Sequence, residues 1–219
     1  MMNDEDKSRS RPDRHHAHGH AHVDGHGHSG HSFDHASSFL LSEERRKWQD
    51  PSKIIGASGI AEGWNVIDVG SGPCFFAAEI ASRVGKGGKV YALDSSSVLL
   101  SKCVEIISGK GIANVFPLLA DADSGFPIVD GKLDAVFMAN VLHDFAKPDE
   151  VVREAGRVLR SGGLMINLDW KKMRTEFGPP EEMRLSEEES RKIIRSGPFD
   201  QFGNIDAGPF HYCLTFRKF

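Results

Sequence analysis

Three aspartates lie in or just after short apolar runs. Asp68 is inside Trp64-Asn65-Val66-Ile67-Asp68-Val69, two residues ahead of the turn Gly70-Ser71-Gly72-Pro73. Asp94 follows Lys89–Leu93, and Asp121 follows Asn114–Leu119. Glycines at the end of a strand let a ligand approach the backbone closely. Two phosphate-binding patterns are excluded by the residues themselves. A dinucleotide fingerprint needs its third glycine at position 75, which is Phe75, and no Gly-Lys-Ser/Thr follows to make a P-loop. Further along, His143 and Asp144 follow Ala139-Asn140-Val141-Leu142, and Asp169 follows Met165-Ile166-Asn167-Leu168. His143, with a near-neutral intrinsic pKa, is a candidate general base, and Asp169 is a second, separate candidate. The structural alternatives are that His143 caps or packs under the next segment, that Asp169 bonds a loop, and that Asp94 caps the helix that follows it.

A second group of reactive side chains stands apart. Nine of the eleven histidines fall in the first 35 residues, among them His15, His16, His18, His20, His22, His26, His28 and His31. Neutral imidazoles on a pliant chain suit Zn, Ni or Cu(II), and protonation below about pH 6 would release the metal. Residues 3–32 hold one aliphatic side chain larger than alanine, Val23, and no aromatic ring. Such a stretch cannot bury enough surface to order itself. The expectation is a disordered, metal-chelating tail over 1–32 and one folded domain over 33–219.

Composition narrows the rest. In a chain of 219 residues, 27 basic and 31 acidic side chains leave a net charge of −4, which gives no global field for nucleic acid. The three cysteines, Cys74, Cys103 and Cys213, form no CxxC pair. They read as isolated core residues, not as a disulfide scaffold or zinc module. No apolar run reaches the roughly 18 residues of a membrane span, and the first residues lack a signal-peptide core. The expected location is cytoplasmic.

The elements that must position these residues alternate in type. Strands are expected at 64–69, 89–93, 114–119, 133–139 and 164–168. Helices are expected at 52–58, 74–84, 97–108, 148–159 and 186–195. Phe199–Ile205 and Pro209–Arg217 then follow with no helix between them, so they pair as an antiparallel hairpin. The fold class is α/β: a doubly wound, mostly parallel seven-stranded sheet, Rossmann-like, with an antiparallel C-terminal hairpin.

Over residues 33–219 this set of motifs resembles the class I S-adenosylmethionine-dependent methyltransferases. The resemblance is carried by Val66-Ile67-Asp68-Val69-Gly70-Ser71-Gly72, Val90-Tyr91-Ala92-Leu93-Asp94, Ala120-Asp121-Ala122, Leu133-Asp134-Ala135-Val136-Phe137 and Arg157-Val158-Leu159-Arg160-Ser161-Gly162-Gly163. Cys74 departs from the glycine that many relatives have after Pro73. The resemblance implies that Asp94, with Ser95 beside it, takes the ribose hydroxyls of S-adenosylmethionine. It implies that Gly70, Ser71 and Gly72 admit the methionine part and that Asp68 orients the loop and the ammonium group. Asp121 would receive the adenine amino group, Ala122 would lie beside the ring, and Asn140 would contact the methionine end. Within the superfamily the chain is similar to the small-molecule branch around quinone-biosynthesis and arsenite methyltransferases.

The implied reaction is methyl transfer to a small-molecule acceptor. Val141 after Asn140 departs from the Asn-Pro-Pro-aromatic pattern of enzymes that methylate adenine or glutamine amino groups. The scattered cysteines argue against arsenite, which needs converging thiolates. Segments 33–51 and 170–180 are long enough to cover an acceptor site, and Gly178-Pro179-Pro180 suggests a stiff loop in the second. The alternative is a metal-binding or regulatory protein that keeps the fold and binds the cofactor without turnover.

Overall fold

A computed structural model of the chain describes residues 41–219. The histidine-rich segment and the expected metal ligands within it lie outside the described residues. In chain order the elements are α1 (Glu43–Trp48), α2 (Pro51–Ala57), β1 (Asn65–Val69), α3 (Ala77–Val84), β2 (Lys89–Asp94), α4 (Ser97–Gly109), β3 (Val115–Leu119), β4 (Leu133–Ala139), α5 (Pro148–Val158), β5 (Leu159–Trp170), α6 (Glu187–Ile194), β6 (Phe199–Ile205) and β7 (His211–Lys218). One-turn 3₁₀ segments occur at Ala122–Ser124, Leu142–Asp144 and Glu181–Met183.

The strands form one sheet in the order β3-β2-β1-β4-β5-β7-β6, and all strand pairs from β3 to β5 are parallel. β7 lies antiparallel between β5 and β6, so the hairpin closes the sheet and its second strand takes the inner place. Alternation along the buried strands divides the core in two. Val66, Ala92, Ala135 and Ile166 pack on one face with Ile54 of α2, Ile80 and Val84 of α3 and Cys103 of α4. Ile67, Leu93, Val136 and Met165 pack on the other with Val151, Val152 and Ala155 of α5 and Ile194 of α6. Placing helices on both faces leaves the carboxyl ends of the parallel strands as the free rim, and β1 reverses the order of β2 and β4 there.

Three expectations need correction. The helix expected from Cys74 begins at Ala77, because Cys74 takes a left-handed φ of 64° and the turn runs on through Phe76. The strand expected at 164–168 runs over Leu159–Trp170, since edge-on pairing with both β4 and β7 extends it at each end. Cys74 and Cys103 are joined by a disulfide, with Cα atoms 5.0 Å apart, and only Cys213 is free among the described residues. Spacing along the chain hid this pair: the β2 crossover lays α4 beside the turn that follows β1, across 29 residues of sequence.

Candidate active site

The turn after β1 is built around the Asp94 carboxylate. Gly72 N–H donates to Asp94 Oδ2 and Ser96 N–H to Oδ1, both at 2.8 Å. The helix cap considered as the alternative role of Asp94 is made by Ser96, whose hydroxyl accepts from Leu99 N–H. Asp94 therefore serves the loop, and each of its oxygens keeps a lone pair for a ligand hydroxyl. Gly70 and Ser71 both donate to the Leu93 carbonyl, which holds the loop against the end of β2. Gly70 has a φ of +69°, and a Cβ there would stand 2.7 Å from Val141 Cγ2. This is a position only glycine fits.

Around the loop lies a cavity of about 440 Å³ at the carboxyl ends of β1 to β4. All nine residues expected to hold the cofactor line it: Asp68, Gly70, Ser71, Gly72, Asp94, Ser95, Asp121, Ala122 and Asn140. Asp121 stands before the 3₁₀ turn at Ala122, and its carboxylate accepts from Asp123 N–H at 3.0 Å. Asn140, in the left-handed region at φ 58°, turns the chain out of β4. Asp68 is buried, with one oxygen on the Ala77 N–H, while Oδ2 has no partner. Burial first, and then the Asp94 charge, push its pKa up to about 8 against the opposing pull of Arg45. Ser71 Oγ is likewise buried without a partner. An unpaired carboxylate oxygen held in a low-dielectric wall is destabilised in its charged form until a cation meets it.

α1 supplies residues that the sequence did not signal. Arg45, buried, lines the same cavity, donates to Gln49 Oε1 at 2.8 Å and lies 4.1 Å over the Phe75 ring. Burial draws its pKa down to about 10, though the Asp68 charge opposes the shift. Gln49, fully buried, faces the Asn140 side chain at 3.4 Å. Nothing in the composition of a six-residue helix and the Gln49 that caps it distinguishes these two from surface residues. Their role comes from α1 crossing the rim.

The two candidates for proton transfer, 26 residues apart, meet. His143 Nδ1 lies 2.7 Å from Asp169 Oδ1, with both side chains almost completely buried. Burial opposes the imidazolium, but the bond to Asp169 and the charges of Asp169 and Asp144 outweigh it and raise the His143 pKa. His143 does not line the cavity, whereas its neighbour Asp144 does.

Beyond the Asn140 rim the two expected covering segments close on each other. Trp48 stacks on His211 of β7 at 5.3 Å and 2°, and on Phe177 at 5.3 Å and 26°. Trp170 sits 4.2 Å from the same imidazole. Segment 171–183 is shaped from within by Arg184. Its guanidinium donates to the carbonyls of Lys171, Met173, Phe177 and Pro179 and to Thr175 Oγ1. Among the described residues no group of three or more His, Cys, Asp or Glu is placed to hold a metal, and no helix is long and apolar enough to cross a membrane.

Comparison with known proteins agrees with this geometry. Residues 60–200 match the family model of a methyltransferase domain. The ubiquinone/menaquinone biosynthesis C-methyltransferase of Chromobacterium violaceum is 32% identical over 148 residues, covering 67% of this chain and 59% of that protein. Its counterpart in Laribacter hongkongensis is 29% identical and is covered over 50% of its length, so the chain spans half to three-fifths of these curated relatives. A S-adenosylmethionine-dependent methyltransferase from Aquifex aeolicus superposes with a TM-score of 0.80 at 28% identity, covering 84% of this chain and 98% of that one. An arsenic(III) methyltransferase from Chlamydomonas reinhardtii, at 21% identity and a TM-score of 0.60, shares the fold. The sheet order, the glycine turn on Asp94 and the family match together make this chain a member of the methyltransferase-domain family, with the class I fold.

Proposed function

We propose that the chain transfers a methyl group from S-adenosylmethionine to a small-molecule acceptor by in-line displacement. The observation that carries this reading is the acidic cavity, in which Asp68 Oδ2 and Ser71 Oγ stand unpartnered beside the Asp94-held glycine turn. Asp68 would meet the ammonium group, Gly70 and Gly72 would admit the methionine backbone, and Arg45 would face its carboxylate. Asp94 and Ser95 would take the ribose, with Asp121 and Ala122 at the adenine and Asn140 at the methionine end. The bound sulfonium supplies an electrophilic methyl group and leaves as a neutral thioether. The chain contributes orientation and exclusion of water, for which Trp48 and Phe177 close the acceptor side. The buried His143–Asp169 pair stands behind the cavity wall, where it would support the group that takes the proton an acceptor must lose to become nucleophilic.

The names of the relatives and the aromatic wall of Trp48, Trp170 and Phe177 both support a planar, ring-bearing acceptor such as a substituted hydroquinone. Arsenite fits poorly: two of the three cysteines are tied together, and Cys213 is buried in β7 with its thiol pushed up to about 12 by burial. The spacing of the N-terminal histidines supports a separate capacity to chelate Zn, Ni or Cu, so deleting residues 1–32 should remove metal binding and leave methyl transfer. The primary test is calorimetric titration of S-adenosylmethionine into metal-stripped protein. Micromolar binding is expected, weakened about 100-fold or more in Asp94→Ala, because the mutation removes charged hydrogen bonds and the anchor of Gly72 together. Equal affinity in the two proteins would refute the site.

A further inference from the structure

We propose that Asp144, and not His143, is the group that receives the acceptor's proton, with His143 and Asp169 acting behind it as positioning residues. This rests on the methyl-transfer reading above. Both imidazole nitrogens are engaged: Nδ1 with Asp169 at 2.7 Å, and Nε2 with Asp144 Oδ1 at 3.3 Å. The His143 side chain is 3% exposed and that of Asp169 1%, so neither can touch an acceptor as they stand. Asp144 is 53% exposed and lines the cavity beside Asn140 and Phe145. It is also held in place. Its N–H donates to Val141 O at 3.0 Å, and the next turn is fastened by Asp123, which accepts from Ala146 and Lys147 N–H.

The chemistry follows from this order of groups. A surface carboxylate alone is a weak base, and here burial raises the Asp144 pKa while the His143 charge opposes the rise. The buried Asp169 fixes the His143 ring, so Nε2 stands 3.3 Å from one Asp144 oxygen and leaves the other free. Asp144 takes the proton from the acceptor's nucleophilic group. The electron pair released forms the bond to the methyl carbon as the carbon–sulfur pair leaves with sulfur. The charged groups facing His143 are Asp169 of β5, Asp144 of its own turn and Arg184 from the covering segment.

Two readouts test the relay, and one needs no acceptor. In protein saturated with S-adenosylhomocysteine and labelled at the histidine ring carbons, the His143 resonance is assigned with His143→Gln and titrated by NMR. Asp144→Asn should move its midpoint down by about half a pH unit or more, and Asp169→Asn should move it further. With a substituted hydroquinone as acceptor, Asp144→Asn should lower kcat roughly 100-fold and change affinity for S-adenosylhomocysteine by less than about threefold. An unmoved midpoint in Asp144→Asn overturns the relay, as does full turnover. Equal losses of turnover and cofactor affinity would make Asp144 a cofactor ligand and overturn it too. A wild-type chain that binds the cofactor and methylates no acceptor counts against the proposed function instead, and the titration then decides the relay by itself.

Discussion

The two halves of the rim are built on opposite principles. On the side of β1, β2 and β3 the wall is polar and open, with buried oxygens of Asp68 and Ser71 unsatisfied and Asp94 spent on holding the loop. On the side of β4, β5 and β7 the wall is filled: Trp48 stacks on both Phe177 and His211, and Arg184 has five acceptors around it. The first half thus offers fixed polar groups to a charged ligand, and the second packs aromatic rings against one another. A donor that is always the same molecule suits a rigid polar mould. An acceptor that must enter and leave suits a closure made of stacked rings, whose contacts are individually worth about 0.5–1.5 kcal/mol.

Breaking the mould should cost more than breaking the closure. The largest effect is expected from Gly70→Ala, which adds a Cβ 2.7 Å from Val141 Cγ2 at a φ of +69°. Strain of about 1–2 kcal/mol from the left-handed backbone adds to about 1–3 kcal/mol of overpacking, lowering both stability and cofactor affinity. Val141→Ala in the same chain should recover the overpacking part and not the backbone part, as denaturant unfolding of the three variants would show. Full recovery would mean that backbone strain plays no part.

The next effect is proton-linked. Asp68 titrates at about 8 in the fold against 3.8 in the unfolded chain, so between those values the folded state holds a proton that the unfolded state has lost. Stability of the cofactor-free protein should therefore fall as pH rises from about 4 to about 8, by at most about 1.4 kcal/mol per pH unit from this group. Asp68→Asn should flatten that slope. Binding of the cofactor's ammonium group should favour the carboxylate and release up to one proton at pH 7, read from calorimetry in buffers of different ionisation enthalpy. No release in the wild-type chain would separate Asp68 from the ligand.

The smallest change in cofactor binding is expected from Trp48→Ala. It opens the closure, so KM for a hydroquinone acceptor should rise about tenfold while cofactor affinity stays within about threefold. A loss of cofactor affinity as large as that of Gly70→Ala would erase the distinction between the two halves.

That distinction also divides what was legible from the sequence. The polar half is local: each acid stands at the end of one strand, a few residues from the turn it serves, and the alternation of strands and helices dictates that these ends converge. The nine expected cofactor residues line one cavity for that reason. The closed half joins residues distant in sequence. His143 and Asp169 were both marked by their type and their place after a strand, but only the pairing of β4 with β5 sets them 2.7 Å apart, and only burial shows that Asp144 reaches the cavity in their place. The place of Arg45 in the cavity wall and of Gln49 beside Asn140 is decided only by where α1 crosses the rim. The Cys74–Cys103 link became visible only once α4 lay beside the first turn.

By itself, then, the sequence determined the fold class and the placement of the three acids at the strand ends. Hydrophobic period, glycine turns and strand-end residues act over a few positions, and right-handed crossovers leave little choice in assembling them. Only the tertiary structure decided that β7 sits inside β6, which cysteines pair, and which of the residues after β4 faces the ligand. Those outcomes depend on long-range packing and on which atoms are shielded from water, and neither is encoded in any short stretch of chain.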